Sequence, residues 1–354
     1  PGACSDMVLH FFHTRCGLYF GALGLLGATR ERMPPPRNAS ARAPRVTVQM
    51  AQSLLEQRHA LLNRTRLGSD ALFSFGCSLD RAATQHLCDG LDRGPPRGVE
   101  FDLWPALTAM PRMIPPLPTS LRCSRAGFDA VYILHPGAGS LPYFRPYLLG
   151  GLPTNTSEVL RLSRQRILRR IERDPTFVVV DASLWDAEAW WKLATIAPDP
   201  RVGSSSFTRR AAAARTRWPP HHLVQHWCTV EVPALLQEAQ AVYPTARIAF
   251  RTAPRTALKD PPQNAETIDA MTKCLWEHTT PEWKLHGQFD LIPYHELVNA
   301  LALFPKATSG KLWPDLQHPA PQAQDLYLAS VLVWTQQGLG TLREPLTGPR
   351  PGRF

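Results

Sequence analysis

Five short, mostly apolar runs recur along the chain, and each is followed by a stretch of helical periodicity. The runs are Ala71–Phe75, Phe128–Leu134, Thr176–Val180, Ala246–Arg251 and Phe289–Ile292. Strands buried on one face alternate apolar and polar residues, whereas these are apolar almost throughout, so both faces must be covered. Helices between them supply that cover, at Leu79–Cys88, Ser157–Asp174, Asp186–Leu193, His221–Val242, Glu266–His278 and Gln322–Gln337. Pro233 has no N–H to donate and must break or kink the fourth of these. Strand–helix alternation with right-handed crossovers predicts an α/β fold with a doubly wound, mainly parallel sheet of about five strands. In such sheets ligands bind beyond the carboxyl ends of the strands.

The chain has 354 residues, of which 44% are hydrophobic and 19% charged, enough apolar content for a sizeable core. Its 35 prolines cluster between the periodic segments and toward the end, marking loops and a tail. The organisation expected is an N-terminal segment at 1–28, a stem at 29–66, one domain at 67–340 and a Pro/Gly/Arg-rich tail at 341–354. The net charge of +10 suits an acidic partner, but no RNA-binding or zinc-finger pattern points to nucleic acid. Many arginines fall on the Ser157–Asp174 helix, opposite a stripe of Leu160, Ile167, Leu168 and Ile171, as on a solvated helix.

Cys16–Ala28 is an apolar run of 13 residues preceded by Arg15, which fits a signal anchor or signal peptide and hence a membrane contact. Asn38, Asn63 and Asn155 each begin an N-x-S/T sequon, three of only five asparagines in the chain. Both features point to the secretory pathway, either anchored on the ER or Golgi lumenal side or secreted. None of the seven cysteines forms a C-x-x-C pair, which argues against a zinc ribbon. In an oxidising lumen Cys88–Cys123 and Cys228–Cys274 are available pairings, although spacing alone does not select them.

Two motifs carry chemistry. In Phe75-Gly76-Cys77-Ser78-Leu79-Asp80-Arg81, a serine follows the first strand and opens a helix, whose unpaired N–H groups can stabilise an oxyanion. In Trp313-Pro314-Asp315-Leu316-Gln317-His318-Pro319, an imidazole that can take a serine proton stands three residues from a carboxylate that can orient it. Taken singly, a helix-capping serine and a surface Asp–His pair are commoner than a catalytic site.

In combination and order, the two blocks resemble the SGNH (GDSL-like) hydrolases, nearest to the secretory PC-esterase and polysaccharide O-acetyltransferase branch. Two further blocks add to the likeness: Asp181-Ala182-Ser183-Leu184-Trp185-Asp186 is similar to N-S-G-L-W-D, and Phe250-Arg251-Thr252-Ala253-Pro254 to a W-R-T-x-P strand end. The resemblance spans about Ala71 to Val333. It implies a three-layer α/β/α flavodoxin-like sandwich with Ser78 as nucleophile, His318 as base and Asp315 as its orienter. It implies oxyanion donors from the Ser78 N–H, from Gly137 or Gly139, and from the third block, where Asp181 and Ser183 stand. It offers Trp185 and Arg251 as substrate-binding candidates. No metal and no resident cofactor are implied; the substrate class is an acylated glycan, and transfer would need an acetyl donor. Two positions depart from the pattern: Cys77 replaces the aspartate of G-D-S, and Asp181 replaces the asparagine of the third block. An ionised aspartate donates no hydrogen bond, and loss of one oxyanion donor costs about 10²–10³ in rate. The likeness therefore implies either a catalyst or an inactive carbohydrate-binding or scaffold descendant.

His221, His222 and His226 give an i, i+4 pair without a completing ligand, better suited to a helix surface than to a metal. Trp185, Trp190 and Trp191 could stack on sugars, although core packing is the commoner use. No D-x-D motif supports a glycosyltransferase.

Overall fold

The computed structural model describes residues 46–65, 70–91, 99–101, 120–125, 128–135, 137–138, 156–171, 173–195, 218–256, 263–302 and 320–338. In chain order the elements are α1 (Val48–Thr65), β1 (Ala71–Gly76), α2 (Ser78–Leu91), β2 (Val99–Phe101), β3 (Ser120–Arg125), β4 (Phe128–Leu134), α3 (Thr156–Ile171), β5 (Phe177–Val180) and α4 (Ser183–Thr195). Then come α5 (His221–His226), a π-helical turn (Trp227–Glu231), α6 (Val232–Val242), β6 (Arg247–Arg251), α7 (Ala265–Glu277), β7 (Lys284–Leu285), β8 (Phe289–Ile292), α8 (Tyr294–Ala302) and α9 (Pro321–Gln336).

One eight-stranded sheet runs in the order β2-β3-β4-β1-β5-β6-β8-β7. The five strands expected from the sequence are all present, and they pair in parallel as β4-β1-β5-β6-β8. The sheet is nevertheless mixed, not simply about five parallel strands. β2 and β3 add an antiparallel hairpin at one edge, and the two-residue β7 adds an antiparallel strand at the other. β2 and β7 are too short, and β3 too polar, to announce themselves as apolar runs.

Strand side chains alternate between two cores. On one face Leu72, Ala130, Tyr132, Phe177, Val179 and Ala249 pack under α1, α2, α8 and α9. On the other Phe73, Phe75, Val131, Val178, Val180 and Phe250 pack under α3, α6 and α7. Period-two alternation with both sides apolar is why the strands read as unbroken hydrophobic runs. α1 corrects the expected stem: Met50, Ala51, Leu54, Leu61 and Leu62 lie within the first core, so the packed domain reaches back at least to Val48. Its register of apolar residues had looked like a free amphipathic segment because its partner, α9, lies over 250 residues later.

Pro233 does not interrupt the chain's helical path. A π turn precedes it and Pro233 falls in the first turn of α6, where an N–H is not needed. The arginine face of α3 is largely exposed or half-buried, and Arg164 makes a two-pronged contact with Asp174 at 2.7 and 2.6 Å. Two disulfides are formed, Cys88–Cys123 and Cys228–Cys274. Among the described residues no helix is long and apolar enough to cross a membrane; the 1–28 segment, residues 29–45 and the 341–354 tail lie outside them.

Candidate active site

β1 lies between β4 and β5. The chain leaves β1 into α2 on one face of the sheet and leaves β5 into α4 on the other. Loops that diverge in this way open a crevice at the carboxyl ends of β1 and β5, the switch point of a doubly wound sheet. Ser78 begins α2 on one side of that point, and Ser183 begins α4 on the other.

The turn that presents Ser78 is built from its neighbours. Cys77 caps α2: its carbonyl accepts the N–H groups of Asp80 and Arg81 at 3.1 and 3.2 Å. Asp80 returns the contact by accepting the Cys77 N–H at 3.1 Å, one half of a capping box, in which the side chain three residues into the helix reaches back to the cap. Cys77 and Leu79 are buried against Leu184, Ala253 and Ile268, leaving Ser78 between them exposed. Gly76 is required, because a Cβ there would lie 2.0 Å from the Asp80 carboxylate.

Beneath Ser78 sits a buried ionic cluster. Arg251, the last residue of β6, grips Asp80 through Nε and Nη2, both at 2.9 Å, and reaches Asp181 at 2.5 Å. Its guanidinium lies beside the paired rings of Tyr294 and Tyr327, 5.4 and 5.3 Å from their centroids. Arg251 is only 1% exposed. The substrate-binding role expected for it is therefore corrected: it is an internal strut, with its donors spent on two carboxylates and the Thr252 carbonyl. One cation against two anions leaves the cluster a net negative charge. Burial pushes the Asp80 carboxyl up to about 6, with Arg251 pulling it down and Asp181 pushing it further up. Burial, then Asp181 and Asp80, raises the Cys77 thiol well above its ordinary range, so it is no thiolate nucleophile.

Asp181 faces three ways. Besides Arg251, it accepts the Ser183 N–H at 3.0 Å and stands 3.8 Å from the Cys77 sulfur. It thus acts as an acceptor and offers no oxyanion donor. The Ser183 backbone N–H is likewise committed, although the Ser183 hydroxyl is buried with no hydrogen-bond partner among the described residues. Gly137, at φ 121°, donates its N–H to His135 Nδ1 at 3.3 Å. His135 is buried and its Nε2 has no partner among the described residues; burial holds its pKa down at about 4. Asp186 ties the second and third blocks together, accepting the Ala138 N–H and the Trp227 indole N–H at 2.9 Å each.

Trp185 is half-buried against the small core under Ser78. Trp190 packs edge-on to Trp227 and Trp191 to Trp218, a core use of these rings. His226 pairs with Glu231 at 3.1 Å. Cys77, Asp80 and Asp181 have ligand atoms close enough for a metal, but the Arg251 guanidinium already pairs with both carboxylates from within. Asp315, His318 and Gly139 lie outside the described residues, as do Asn38 and Asn155. The sequence reading missed Asp80 as the anchor of the serine turn; its spacing of three from the helix cap was the available signal.

Comparison of the chain with protein-family models, with curated proteins and with solved structures returns no match.

Proposed function

We propose that the chain is a serine-dependent acyl-ester hydrolase or O-acyltransferase of SGNH type, acting on an acylated glycan in the secretory pathway. The observation that carries this reading is the exposed Ser78 at the N-terminus of α2, beside the switch point and braced from beneath by Asp80 and Arg251. The parallel strand order β4-β1-β5-β6-β8, which is 2-1-3-4-5 in chain order, supports the flavodoxin-like three-layer arrangement expected of that class. α9 supports it too. Tyr327 near its start stacks on Arg251 at the carboxyl end of β6, and Trp334 near its end meets Phe177 at the start of β5. The helix that follows the Asp315–His318 block therefore begins toward the carboxyl ends of the strands, where Ser78 lies. The two disulfides support an oxidising lumen.

The two departures from the family pattern touch each other, Cys77 Sγ to Asp181 Oδ2 at 3.8 Å. The pattern has a carboxylate at the first position and a neutral amide at the second; this chain has a neutral thiol and a carboxylate. The charge has moved across one contact, which supports a conserved net charge beneath the serine. In the reaction, Ser78 Oγ attacks the acyl carbonyl while His318 takes its proton and Asp315 steadies the imidazolium. The alcohol leaves with that proton, and water or a sugar hydroxyl then attacks the acyl-serine, releasing acid or a new ester. The helix N-terminus and the Ser183 hydroxyl are the donors available to the oxyanion.

A second reading, a non-catalytic carbohydrate-binding or scaffold protein on the same fold, is favoured by one observation: the Gly137 and Ser183 N–H groups are already engaged. Hydrolysis of p-nitrophenyl acetate and of acetylated xylan, mannan and sialic acid separates the two. Turnover lost about 10³-fold or more in both Ser78→Ala and His318→Ala supports the enzyme. Turnover that is absent, or unchanged in Ser78→Ala, supports the second reading.

A further inference from the structure

A cavity of about 450 Å³ lies between α1, α2 and α9, far along α2 from Ser78. Twelve residues of helix separate Ser78 from Gly90, about 18 Å of rise. The volume falls within the range of small-ligand sites. Leu62 and Leu328 give it apolar wall, and Gly90 leaves room beside them. Its polar groups are of mixed sign. Arg58 and the His86 imidazole both hold Asp325, His86 at 2.5 Å, and Asp89 takes an amide N–H from Gln85 at 2.8 Å. Burial opposes ionisation of Asp325, but the His86 and Arg58 contacts outweigh it and hold its pKa below the ordinary value. An anion entering here meets Asp89 and Asp325; a cation meets Arg58. A neutral ring with one apolar face and hydroxyls that both donate and accept suits this lining better than either ion.

Asn63 lines the same cavity. It is exposed on the last turn of α1, and it begins the sequon Asn63-Arg64-Thr65. We propose that Asn63 carries an N-linked glycan whose first N-acetylglucosamine occupies this cavity and clamps α1 to α2 and α9. The covalent tether removes the translational cost of binding, so even a shallow site is filled. The ring lies on Leu62 and Leu328 and its polar groups face Asp89 and His59. This inference rests on the lumenal location and not on the chemistry of Ser78.

The test uses the full chain with Asn38→Gln and Asn155→Gln, secreted from cells that make only high-mannose glycans. Peptide mass spectrometry should find hexosamine on Asn63, retained in Thr65→Ser and lost in Thr65→Ala. Endoglycosidase H, which leaves one N-acetylglucosamine, should leave Tm unchanged. Complete removal by peptide N-glycosidase should lower Tm by about 2–4 °C, the shift expected for a small clamp on a domain of this size. Because that enzyme converts asparagine to aspartate, Asn63→Gln should show the same fall. An unmodified Asn63 overturns the proposal, and so does a modified Asn63 with equal Tm in all three glycan states.

Discussion

Exchanging the residues at 77 and 181 tests whether the buried cluster balances charge as a unit. Cys77→Asp alone adds a third carboxylate to a site that holds Arg251, Asp80 and Asp181. At the 3.8 Å separating Cys77 from Asp181, two unit charges repel by about 4 kcal/mol at an effective dielectric of 20. Keeping the new acid protonated at pH 7 instead costs about 4 kcal/mol, roughly three pK units above its ordinary 3.9. Both routes give the same order of loss, a large part of a domain stability of about 5–15 kcal/mol. Asp181→Asn alone removes the second anion but breaks either the Arg251 contact or the Ser183 contact, because one amide oxygen cannot accept from both directions; a loss of about 1–3 kcal/mol is expected. In the double variant the carboxylate at 77 faces an amide donor at 181, and the net charge returns to its original value. Urea unfolding followed by tryptophan fluorescence should give a coupling of about 2–4 kcal/mol in favour of the double variant. If the single effects add to within about 0.5 kcal/mol, the two positions are independent and the argument from transferred charge is wrong.

Three more outcomes follow from the same contacts. Arg251→Met strands Asp80 and Asp181 in the core and should cost about 3–5 kcal/mol by urea unfolding, partly recovered at pH 4–5 where Asp80, already raised to about 6, is protonated; a loss under 1 kcal/mol at every pH contradicts the strut. His135 is held neutral in the fold, with its pKa lowered from 6.5 to about 4, so its contribution is present above pH 6.5 and lost as pH falls toward 4. The stability difference between the wild type and His135→Phe should shift by about 3 kcal/mol across that window, while the opposite trend from Asp80, whose raised pKa costs stability as pH rises from about 4 to about 6, is common to both proteins and cancels; a pH-independent difference refutes the burial of His135. Cys228→Ala/Cys274→Ala opens a loop of 46 residues and should cost about 4 kcal/mol if chain entropy dominates, read as a shifted urea midpoint; no shift means that the bridge does not constrain the unfolded chain.

The parallel half of the sheet was legible because its strands are buried on both faces: Phe128–Leu134 and Phe289–Ile292 match their apolar runs end to end. The edges were not. Ser120–Arg125 alternates Arg122 and Ser124 with Leu121 and Cys123, since this strand, next to the edge, has one face toward solvent, and that pattern fits loops equally well. α1 looked like a stem because amphipathic periodicity names a buried stripe but not what covers it. Ser78 was legible from its place after β1. The role of Arg251 was not, because its partners lie 171 and 70 residues away in the chain and an arginine at a strand end ordinarily reaches solvent. Asp181 read as the loss of a donor; its contact with Cys77, 104 residues away in the chain, left no sequence signal.

The central claim concerns one hydroxyl. A fluorophosphonate probe added to the folded full-length chain between pH 6 and 8 should attach to a single peptide, with the adduct on Ser78 Oγ, and labelling should vanish in Ser78→Ala and fall sharply in His318→Ala. Labelling that persists in Ser78→Ala, or folded protein that takes up no probe anywhere in that range, contradicts a nucleophilic serine at this turn.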